Sequence, residues 1–336
     1  MPVRVGHAIF GPADHGVVLF AGDLAGQEGG PVVTAPSALP ELAARTDLVH
    51  LQFTDALYGR TCDEAAEAFA ALAAGVPGPV TVTLHDLPDP DDEPGRYRRR
   101  SAAYRVVAAA VDGVVVSSRH EARLLELIGA GPAHVIPLPV EPESEPEPDA
   151  VRPGPGGRPE IGVLGFVHPG KGHAEALAEL GELGAGIAFT AIGRPADGHD
   201  DLVADLRARA SATGLDWRIT GFVAAAELPT RLRRVTVPLA PGRLVSASGS
   251  VNTWLANGRR PLVLDGPYAR EIAERRPGAI RLYRDGELAT AVREALADPG
   301  STWLRPGQDI GPGRAETADA YRAFFAEVAG ALVSPA

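Results

Sequence analysis

Apolar residues occur along the chain in short runs, and between the runs Ala and Leu recur at helical spacing. In the first half, the runs predict six strands, over residues 3–10, 31–35, 47–53, 79–85, 113–118 and 134–138. The stretches between them have the apolar repeat that is typical of amphipathic helices. Strands that alternate with helices indicate βα units, so we expect a parallel, doubly wound sheet.

A Pro- and Glu-rich segment interrupts this pattern at residues 141–158. It contains the acidic run EPESEPEPD, whose like charges repel one another, and its prolines lack backbone donors. We therefore expect an extended linker here. The alternation then resumes, with strands predicted over residues 160–166, 186–193, 217–223, 235–240, 260–265 and 279–285.

This pattern predicts an α/β protein with two doubly wound, Rossmann-like domains that face each other across a cleft. The first domain is expected to span residues 1–140 and the second residues 159–312, with an amphipathic helix within 313–336. Open α/β sheets bind ligands outside the carboxyl ends of their strands, so we expect ligands to bind in the cleft.

Composition and charge exclude several classes of protein. The 32 basic and 43 acidic residues give a net charge of −11, whereas nucleic acid and anionic lipid both require a basic surface. The single cysteine, Cys62, excludes a disulfide framework and a multi-cysteine metal site. No apolar run reaches the roughly 18 residues of a membrane span, and the first residues predict a strand rather than a signal peptide. We expect a cytoplasmic protein without stable membrane insertion; its oligomeric state stays open.

The segment GFVHPGKG, residues 165–172, follows the first strand of the second domain and precedes a helix. Its glycines allow backbone N–H groups to approach a ligand, and a helix N-terminus favours anions. It contains Lys171, the only lysine in the chain, whereas the other 31 basic residues are arginine. A solvated lysine is the alternative, but this setting favours a diphosphate-binding loop. The spacing matches neither a Walker loop nor the G-x-G-x-x-G fingerprint.

The same loop resembles the G-x-x-x-x-x-K-G phosphate loop of the retaining, GT-B-fold glycosyltransferases of family four. Three more segments resemble motifs of that family in the same order. Residues 113–125 resemble its strand followed by Ser-x-x-Glu, residues 221–228 resemble the stretch that in the family lies near the nucleotide base, and residues 246–263 resemble the segment that in the family holds the donor sugar and ribose. The resemblance covers nearly the whole chain. It implies the GT-B fold, with the last helix crossing back to the N-terminal domain.

The resemblance further implies a donor site in the second domain and an acceptor site in the first. The residues expected to bind the donor are Gly165, Phe166, Lys171, Gly172, Gly193, Arg194, Phe222, Val223, Arg243, Ser248, Gly249, Ser250 and Thr253. Those expected on the acceptor side are Gly11, Asp14, His15, Gly16, Thr54 and Asp55. His85 and Asp86, at the carboxyl end of a predicted strand, are the candidate catalytic residues.

The chain departs from the family pattern at two places. The paired glutamates that the family uses toward the donor fall at about Val245 and Thr253, which are not acidic. The arginine of the phosphate loop falls at Phe166. Arg243 is a candidate to supply the missing guanidinium, with a solvated loop arginine as the alternative.

The implied activity is transfer of a sugar from a nucleotide-diphosphate sugar to a small-molecule or glycan acceptor. It proceeds with retention of anomeric configuration and uses neither a metal nor a further cofactor. Negative charge then develops on the departing diphosphate, where Lys171 and loop N–H groups are expected to stabilise it. The missing glutamates suggest one alternative, a non-catalytic protein that binds sugar nucleotides or glycans. A sugar-nucleotide epimerase of the same fold is a third and less favoured interpretation, because it requires carboxylates poised for elimination and the sequence shows no convincing pair. The fold alone does not decide between them.

Several of these residues also have a structural interpretation. Asp14 is a possible helix cap, and His85 a possible loop residue. The acidic run 89–93 lies in a Pro-rich turn, and the arginines of 96–100 are predicted to be a solvated helix start. We expect His85 at the cleft edge, where its replacement by Ala lowers turnover but hardly changes stability.

Overall fold

A computed structural model describes residues 2–143, 158–184, 186–196 and 198–333. Most of the predicted linker, residues 144–157, lies outside these ranges. The chain divides into two compact units. Unit 1 comprises Met1–Pro139 and Pro312–Ala336, and unit 2 comprises Val140–Gly311.

Unit 1 is built on a six-stranded parallel sheet whose strand order is β2-β1-β3-β4-β5-β6. Its strands are β1 (Val5–Ala8), β2 (Val32–Val33), β3 (Leu48–Phe53), β4 (Val80–Leu84), β5 (Gly113–Val116) and β6 (His134–Val135). Its helices are α1 (Gly16–Glu28), α2 (Leu39–Ala43), α3 (Asp55–Tyr58), α4 (Cys62–Ala74), α5 (Pro94–Ala109), α6 (Arg119–Leu127) and, from the end of the chain, α13 (Arg314–Val333). Every residue of β3 and β4 is buried, and seven of the eleven are apolar, as expected for strands covered by helices on both faces of the sheet.

The last helix belongs to unit 1. It packs against α1, and its aromatic residues Tyr321, Phe324 and Phe325 share a core with Val5 and Val115 of the sheet. This helix therefore closes one face of the sheet of unit 1.

Unit 2 has a second six-stranded parallel sheet, in the order β12-β11-β10-β7-β8-β9. Its strands are β7 (Glu160–Leu164), β8 (Ala188–Ile192), β9 (Asp216–Ile219), β10 (Val237–Ala240), β11 (Leu262–Leu264) and β12 (Arg281–Tyr283). Its helices are α7 (His173–Leu180), α8 (Asp200–Thr213), α9 (Leu228–Arg233), α10 (Gly249–Ala256), α11 (Pro267–Arg275) and α12 (Leu288–Ala297). Read from β9 to β12, the order is that of a dinucleotide-binding sheet, in which the connections reverse between the first and fourth strands.

Local capping explains one of the family-like motifs. At the start of α6, the Ser118 hydroxyl accepts a hydrogen bond from the Glu121 N–H at 2.9 Å, while the Glu121 carboxylate accepts one from the Ser117 N–H at 2.7 Å. This reciprocal arrangement satisfies donors that a helix start otherwise leaves unpaired. The Ser-x-x-Glu segment therefore has a structural role at this helix. No helix in the described ranges is long and apolar enough to cross a membrane.

Candidate functional site

In unit 2 the strand connections run in opposite directions on either side of the neighbouring strands β7 and β10. The loops that follow these two strands therefore meet at the carboxyl edge of the sheet. Such a switch point forms a crevice for ligands in open α/β sheets. The first loop contains Gly165 to Gly172, and the second leads into α10. The switch point therefore lies between the two segments predicted to bind the donor.

Two glycines allow the loops at this edge to approach each other. A Cβ at Gly172 would lie 2.4 Å from the carbonyl oxygen of Pro241, and Gly172 also has a positive φ of 79°. A Cβ at Gly193, in the loop after β8, would lie 2.2 Å from the carbonyl oxygen of Gly165. Only glycine permits this backbone packing, which brings three loops together.

Lys171 lies across this junction. Its ammonium donates a hydrogen bond to the Ser250 hydroxyl at 2.9 Å, and its end packs over Gly165. Within the described residues, no carboxylate lies within ion-pair distance of it. Desolvation lowers the pKa of Lys171 from 10.5 to about 8. An ammonium has three donors, so two remain available to a ligand.

The start of α10 lies beside this ammonium. The Ser248 hydroxyl caps the helix by accepting a hydrogen bond from the Val251 N–H at 3.2 Å, and it lies 3.1 Å from the Ser250 hydroxyl. The Ser248 N–H in turn donates to the Tyr268 hydroxyl at 3.0 Å. A helix N-terminus, two serine hydroxyls and a half-buried cation together favour an anion.

Other residues predicted to bind the donor have contacts of their own outside the hydrogen bond between Lys171 and Ser250. The Arg194 guanidinium lies over the Phe166 ring at 4.8 Å, which places a cation beside the position where the family has its loop arginine. Phe222 is 74% exposed after β9 and is followed by the half-buried Val223. Arg243 pairs with Asp285 at 2.5 Å, so its charge is already balanced by a carboxylate.

Two further positions have mainly local contacts. The Thr253 hydroxyl donates to the Gly249 carbonyl oxygen at 2.8 Å, within α10. Val245 and Thr253 are both half-buried, so neither supplies a charge where the family has glutamates. These contacts do not test donor binding, and the donor assignments stay predictions.

In unit 1 the residues after β3 and β4 form a hydrogen-bonded cluster. Asp86 is the only non-glycine residue with a positive φ, 51°, in the described ranges. Its carboxylate accepts a hydrogen bond from the Thr54 hydroxyl at 3.1 Å, and its carbonyl accepts one from Arg100 at 2.5 Å. Arg100 also forms an ion pair with Asp55 at 2.7 Å. Strained backbone of this kind is concentrated at functional sites.

This cluster corrects one prediction. The arginines of 96–100 were expected to be solvated, but Arg100 is buried, and the carbonyl of Asp86 and the carboxylate of Asp55 hold it. Arg96, Arg98 and Arg99 are exposed, as expected. Asp55 therefore has a structural partner, and the exposed Asp86 is the freer of the two carboxylates.

His85 is more buried than its position at the end of a strand suggested. It is 7% exposed, its ring lies edge-on to Phe20, and its Nε2 lies 2.8 Å from the Gln52 side-chain oxygen. Burial lowers the pKa of His85 to about 4. The ring is thus packed and hydrogen-bonded, so its replacement is expected to lower stability as well as turnover.

The predicted acceptor-side loop begins with Gly11, which has a φ of 127°, and leads into α1. His15 caps this helix, because its Nδ1 accepts a hydrogen bond from the Val17 N–H at 3.2 Å. The possible cap at Asp14 is therefore wrong, and Gly16 is the first residue of the helix. Asp14 and Gly16 are exposed.

The acidic run 89–93 is a turn and a helix cap. The Glu93 carboxylate accepts hydrogen bonds from the Gly95 and Arg96 N–H groups at the start of α5. Among the described residues, no group of three or more His, Cys, Asp or Glu side chains is arranged to hold a metal ion.

Sequence reasoning did not single out three buried polar residues. His50 and Gln52 lie on β3, and Gln52 contacts both His50 and His85. Arg259 is fully buried in unit 2, where it donates to the backbone carbonyls of residues 232, 233, 235, 236 and 302. The sequence signal that marks His50 and Gln52 is the presence of a polar residue in an otherwise apolar strand.

The fold is similar to several solved structures, although the sequences are distant. No family model matches this sequence, and no curated protein is similar enough in sequence to count as a relative. The structure of HepE from Anabaena in complex with UDP-glucose matches with a TM-score of 0.66 and 16% identity, over 99% of this chain and 100% of that one. Sucrose-phosphate synthase from Thermosynechococcus elongatus matches with a TM-score of 0.66 and 13% identity, over 98% and 97%.

A third match is the UDP-forming α,α-trehalose-phosphate synthase from Burkholderia xenovorans, with a TM-score of 0.65, 15% identity and coverage of 96% and 81%. The matched regions include both units of the present chain. The fold class predicted from the sequence, two doubly wound Rossmann-like domains, is thereby confirmed.

Proposed function

Since the chain has the GT-B fold of glycosyltransferases, we propose that it transfers a sugar from a nucleotide-diphosphate sugar to a small-molecule or glycan acceptor. We further propose that transfer retains the anomeric configuration and requires no metal ion. The similar structures include complexes with UDP and UDP-glucose, so a uridine nucleotide is the first donor to test.

The observation that carries this proposal is Lys171. Its ammonium is desolvated enough to lower its pKa to about 8, yet within the described residues it has a single hydroxyl partner, Ser250. A desolvated cation without an anion destabilises the fold unless a ligand compensates it. A diphosphate supplies that compensation, and the helix N-terminus at Ser248 adds to it.

The same groups suit the chemistry of the reaction. Cleavage of the bond between sugar and diphosphate leaves negative charge on the departing phosphate, and positive charge develops on the sugar ring. Preorganised donors at the place where charge develops lower the barrier, because they need no rearrangement during the reaction. Lys171 and the Ser250 hydroxyl are fixed by their mutual hydrogen bond and are preorganised in this sense.

In unit 1, His85 and Asp86 are the proposed catalytic pair. Burial keeps His85 neutral at physiological pH, so the ring accepts or donates a hydrogen bond without carrying charge. The exposed Asp86 carboxylate is held by Thr54 and is available to a sugar hydroxyl. The acceptor-side roles of the loop from Gly11 to Gly16 are part of the same proposal.

Calorimetric titration with UDP-glucose, GDP-glucose and TDP-glucose tests donor binding directly. We expect Lys171→Met to weaken binding by about 2–4 kcal/mol, the range for removal of one preorganised charge-stabilising group. Arg207→Met is the matched control, because it removes one exposed cation from α8 of the same unit. Equal affinity in wild type and the Lys171 variant contradicts the proposal.

Turnover is tested by release of UDP, with and without a chelator, and by nuclear magnetic resonance of the anomeric proton of the product. The absence of an acidic residue at positions 245 and 253 favours a second candidate, a protein that binds sugar nucleotides without turning them over. Tight donor binding without release of UDP in the presence of any acceptor supports that candidate instead.

A further inference from the structure

A chain of buried polar side chains crosses the sheet of unit 1 and ends at His85. β3 and β4 are parallel neighbours, with His50 opposite Thr81 and Gln52 opposite Thr83. Side chains alternate between the two faces of a strand, so these four residues share one face. All four are at most 5% exposed.

The Gln52 amide connects His50 and His85 within this row of polar side chains. Its nitrogen lies 3.0 Å from Nε2 of His50, and its oxygen lies 2.8 Å from Nε2 of His85. An amide nitrogen only donates and an amide oxygen only accepts. The Nε2 atom of His50 must therefore be unprotonated, whereas that of His85 must bear a hydrogen.

Burial keeps both rings neutral, which makes this assignment a choice of tautomer. Desolvation lowers the pKa of His85 to about 4 and that of His50 well below 6.5. A neutral imidazole has one protonated nitrogen, so a single amide between two Nε2 atoms gives the two rings opposite tautomers.

The other contacts of His50 are compatible with this tautomer. Its Nδ1 lies 2.9 Å from the Thr81 hydroxyl and its Nε2 lies 3.1 Å from the Thr83 hydroxyl. Thr83 also contacts the Tyr321 hydroxyl of α13 at 2.8 Å. Because hydroxyls both donate and accept, they satisfy His50 as the Nδ1–H tautomer.

We propose that Gln52 is a positioning residue, whose amide holds His85 as the Nε2–H tautomer and leaves Nδ1 of His85 as a hydrogen-bond acceptor for a substrate hydroxyl. The second part rests on the proposed function. Nδ1 of His85 has no hydrogen-bond partner among the described residues and is not among their buried unpartnered atoms, unlike Nε2 of His7. It therefore retains access to solvent.

The tautomer restricts what His85 does in a reaction. An unprotonated Nδ1 accepts a hydrogen bond or a proton from a sugar or acceptor hydroxyl, and at neutral pH it has no hydrogen to donate to a phosphate oxygen. The titratable groups around the ring are Asp86, which follows it, and His15, at the start of α1. The proposed substrate contact is thus a hydroxyl, and the diphosphate is left to Lys171.

Nuclear magnetic resonance of the full-length protein labelled with ¹⁵N-histidine tests the first part without any substrate. The chemical shifts of the two ring nitrogens distinguish the tautomers, and His85→Gln assigns the signal. We expect His85 as Nε2–H and His50 as Nδ1–H at pH 7. In Gln52→Met, which has similar size but no amide, we expect a mixture of tautomers at His85. Gln52→Glu keeps an acceptor oxygen toward the ring, so it should keep Nε2–H.

Release of UDP from UDP-glucose tests the second part. We expect Gln52→Met to lower kcat at least about tenfold with a smaller change in KM, and Gln52→Glu to recover most of that loss. Tyr321→Phe is the control, since it removes one hydroxyl from the far end of the chain; it should leave the tautomer of His85 unchanged.

Two results overturn the proposal: His85 as Nδ1–H in the wild type, or a Met variant that keeps both the tautomer and kcat. If Gln52→Met does not fold, the wild-type spectrum and Gln52→Glu still decide. If no nucleotide sugar is turned over, the proposed function fails, while the spectra still establish or refute the positioning by Gln52.

Discussion

Replacing Lys171 by Met should weaken donor binding and at the same time stabilise the unliganded protein. Desolvation lowers the pKa of Lys171 from 10.5 to about 8, a difference that corresponds to about 3 kcal/mol between the charged and neutral forms. The unfolded chain binds this proton more tightly than the folded one, so the charge destabilises the fold below pH 8. This destabilisation is lost as the pH rises from 8 to 10.5.

A bound diphosphate restores the pKa of Lys171 toward its ordinary value, so binding takes up a proton above pH 8. The affinity for UDP-glucose should therefore be constant up to about pH 7.5 and fall about thirtyfold between pH 7 and 9.5. In Lys171→Met the affinity should be low and independent of pH. Lys171→Arg keeps the charge at all these pH values, but its planar guanidinium replaces a compact ammonium, so weak and pH-independent binding is expected.

Calorimetry in two buffers with different heats of ionisation measures both the affinity and the proton uptake, and urea denaturation at pH 7 and 10.5 measures the stability. The Met variant should be up to about 3 kcal/mol more stable than the wild type at pH 7 and equal to it near pH 10.5. Arg207→Met should change neither quantity. A wild-type affinity that does not vary between pH 7 and 9.5 refutes the reasoning, as does a Met variant that is less stable at pH 7.

Three further predictions concern buried side chains. His85→Ala should lower the rate of UDP release about 10²–10⁴-fold. Because the ring is buried and hydrogen-bonded, the same change should lower the free energy of unfolding by about 1–3 kcal/mol. If neither the rate of UDP release nor the free energy of unfolding in urea changes, His85 is not part of the site. The pKa values of His7, His50, His85 and His173 are all lowered by desolvation, so the stability should fall as the pH falls below 6.5. The loss at pH 5 should be about 2 kcal/mol for each of His7, His85 and His173. Urea denaturation at pH 7, 6 and 5 checks this, and equal stability at all three contradicts it. Arg259→Met should destabilise the protein by about 3–5 kcal/mol, because five carbonyls lose their donor, whereas the same change at its half-buried neighbour Arg260 should cost far less.

The architecture of both sheets follows from the hydrophobic pattern because parallel strands covered on both faces leave long apolar runs. The pattern is weakest at the edges. β2 and β6 contain two residues each, and both residues of β6 are exposed, so little burial marks them. The helices Leu39–Ala43 and Asp55–Tyr58 were not predicted, because elements this short contain too few turns to show a helical repeat.

The candidate site was predictable only where one residue or one loop carries the signal. Lys171 stands out as the only lysine, but its partner Ser250 is 79 residues away and was identified only through the resemblance to a family. The burial of His85 depends on Phe20, which α1 brings against it, and no local pattern around residue 85 encodes that contact. Gln52 was overlooked because its role appears only when β3 and β4 are placed in register.

Unit 2 contains a half-buried cation, Lys171, and a fully buried one, Arg259, and the two differ in how their donors are used. Arg259 has no carboxylate partner in the described residues, yet its guanidinium donates to five backbone carbonyls and lies 4.1 Å from the Trp303 ring, so its donors are used within the fold. Lys171 donates to one hydroxyl and lies at the switch point of the sheet, the place where open α/β sheets bind ligands. A buried charge whose donors are satisfied stabilises a local structure, whereas one with donors left over requires something from outside the chain. The number of unused donors therefore distinguishes the structural role of Arg259 from the proposed ligand-binding role of Lys171. It also explains why we expect this single lysine to determine donor binding.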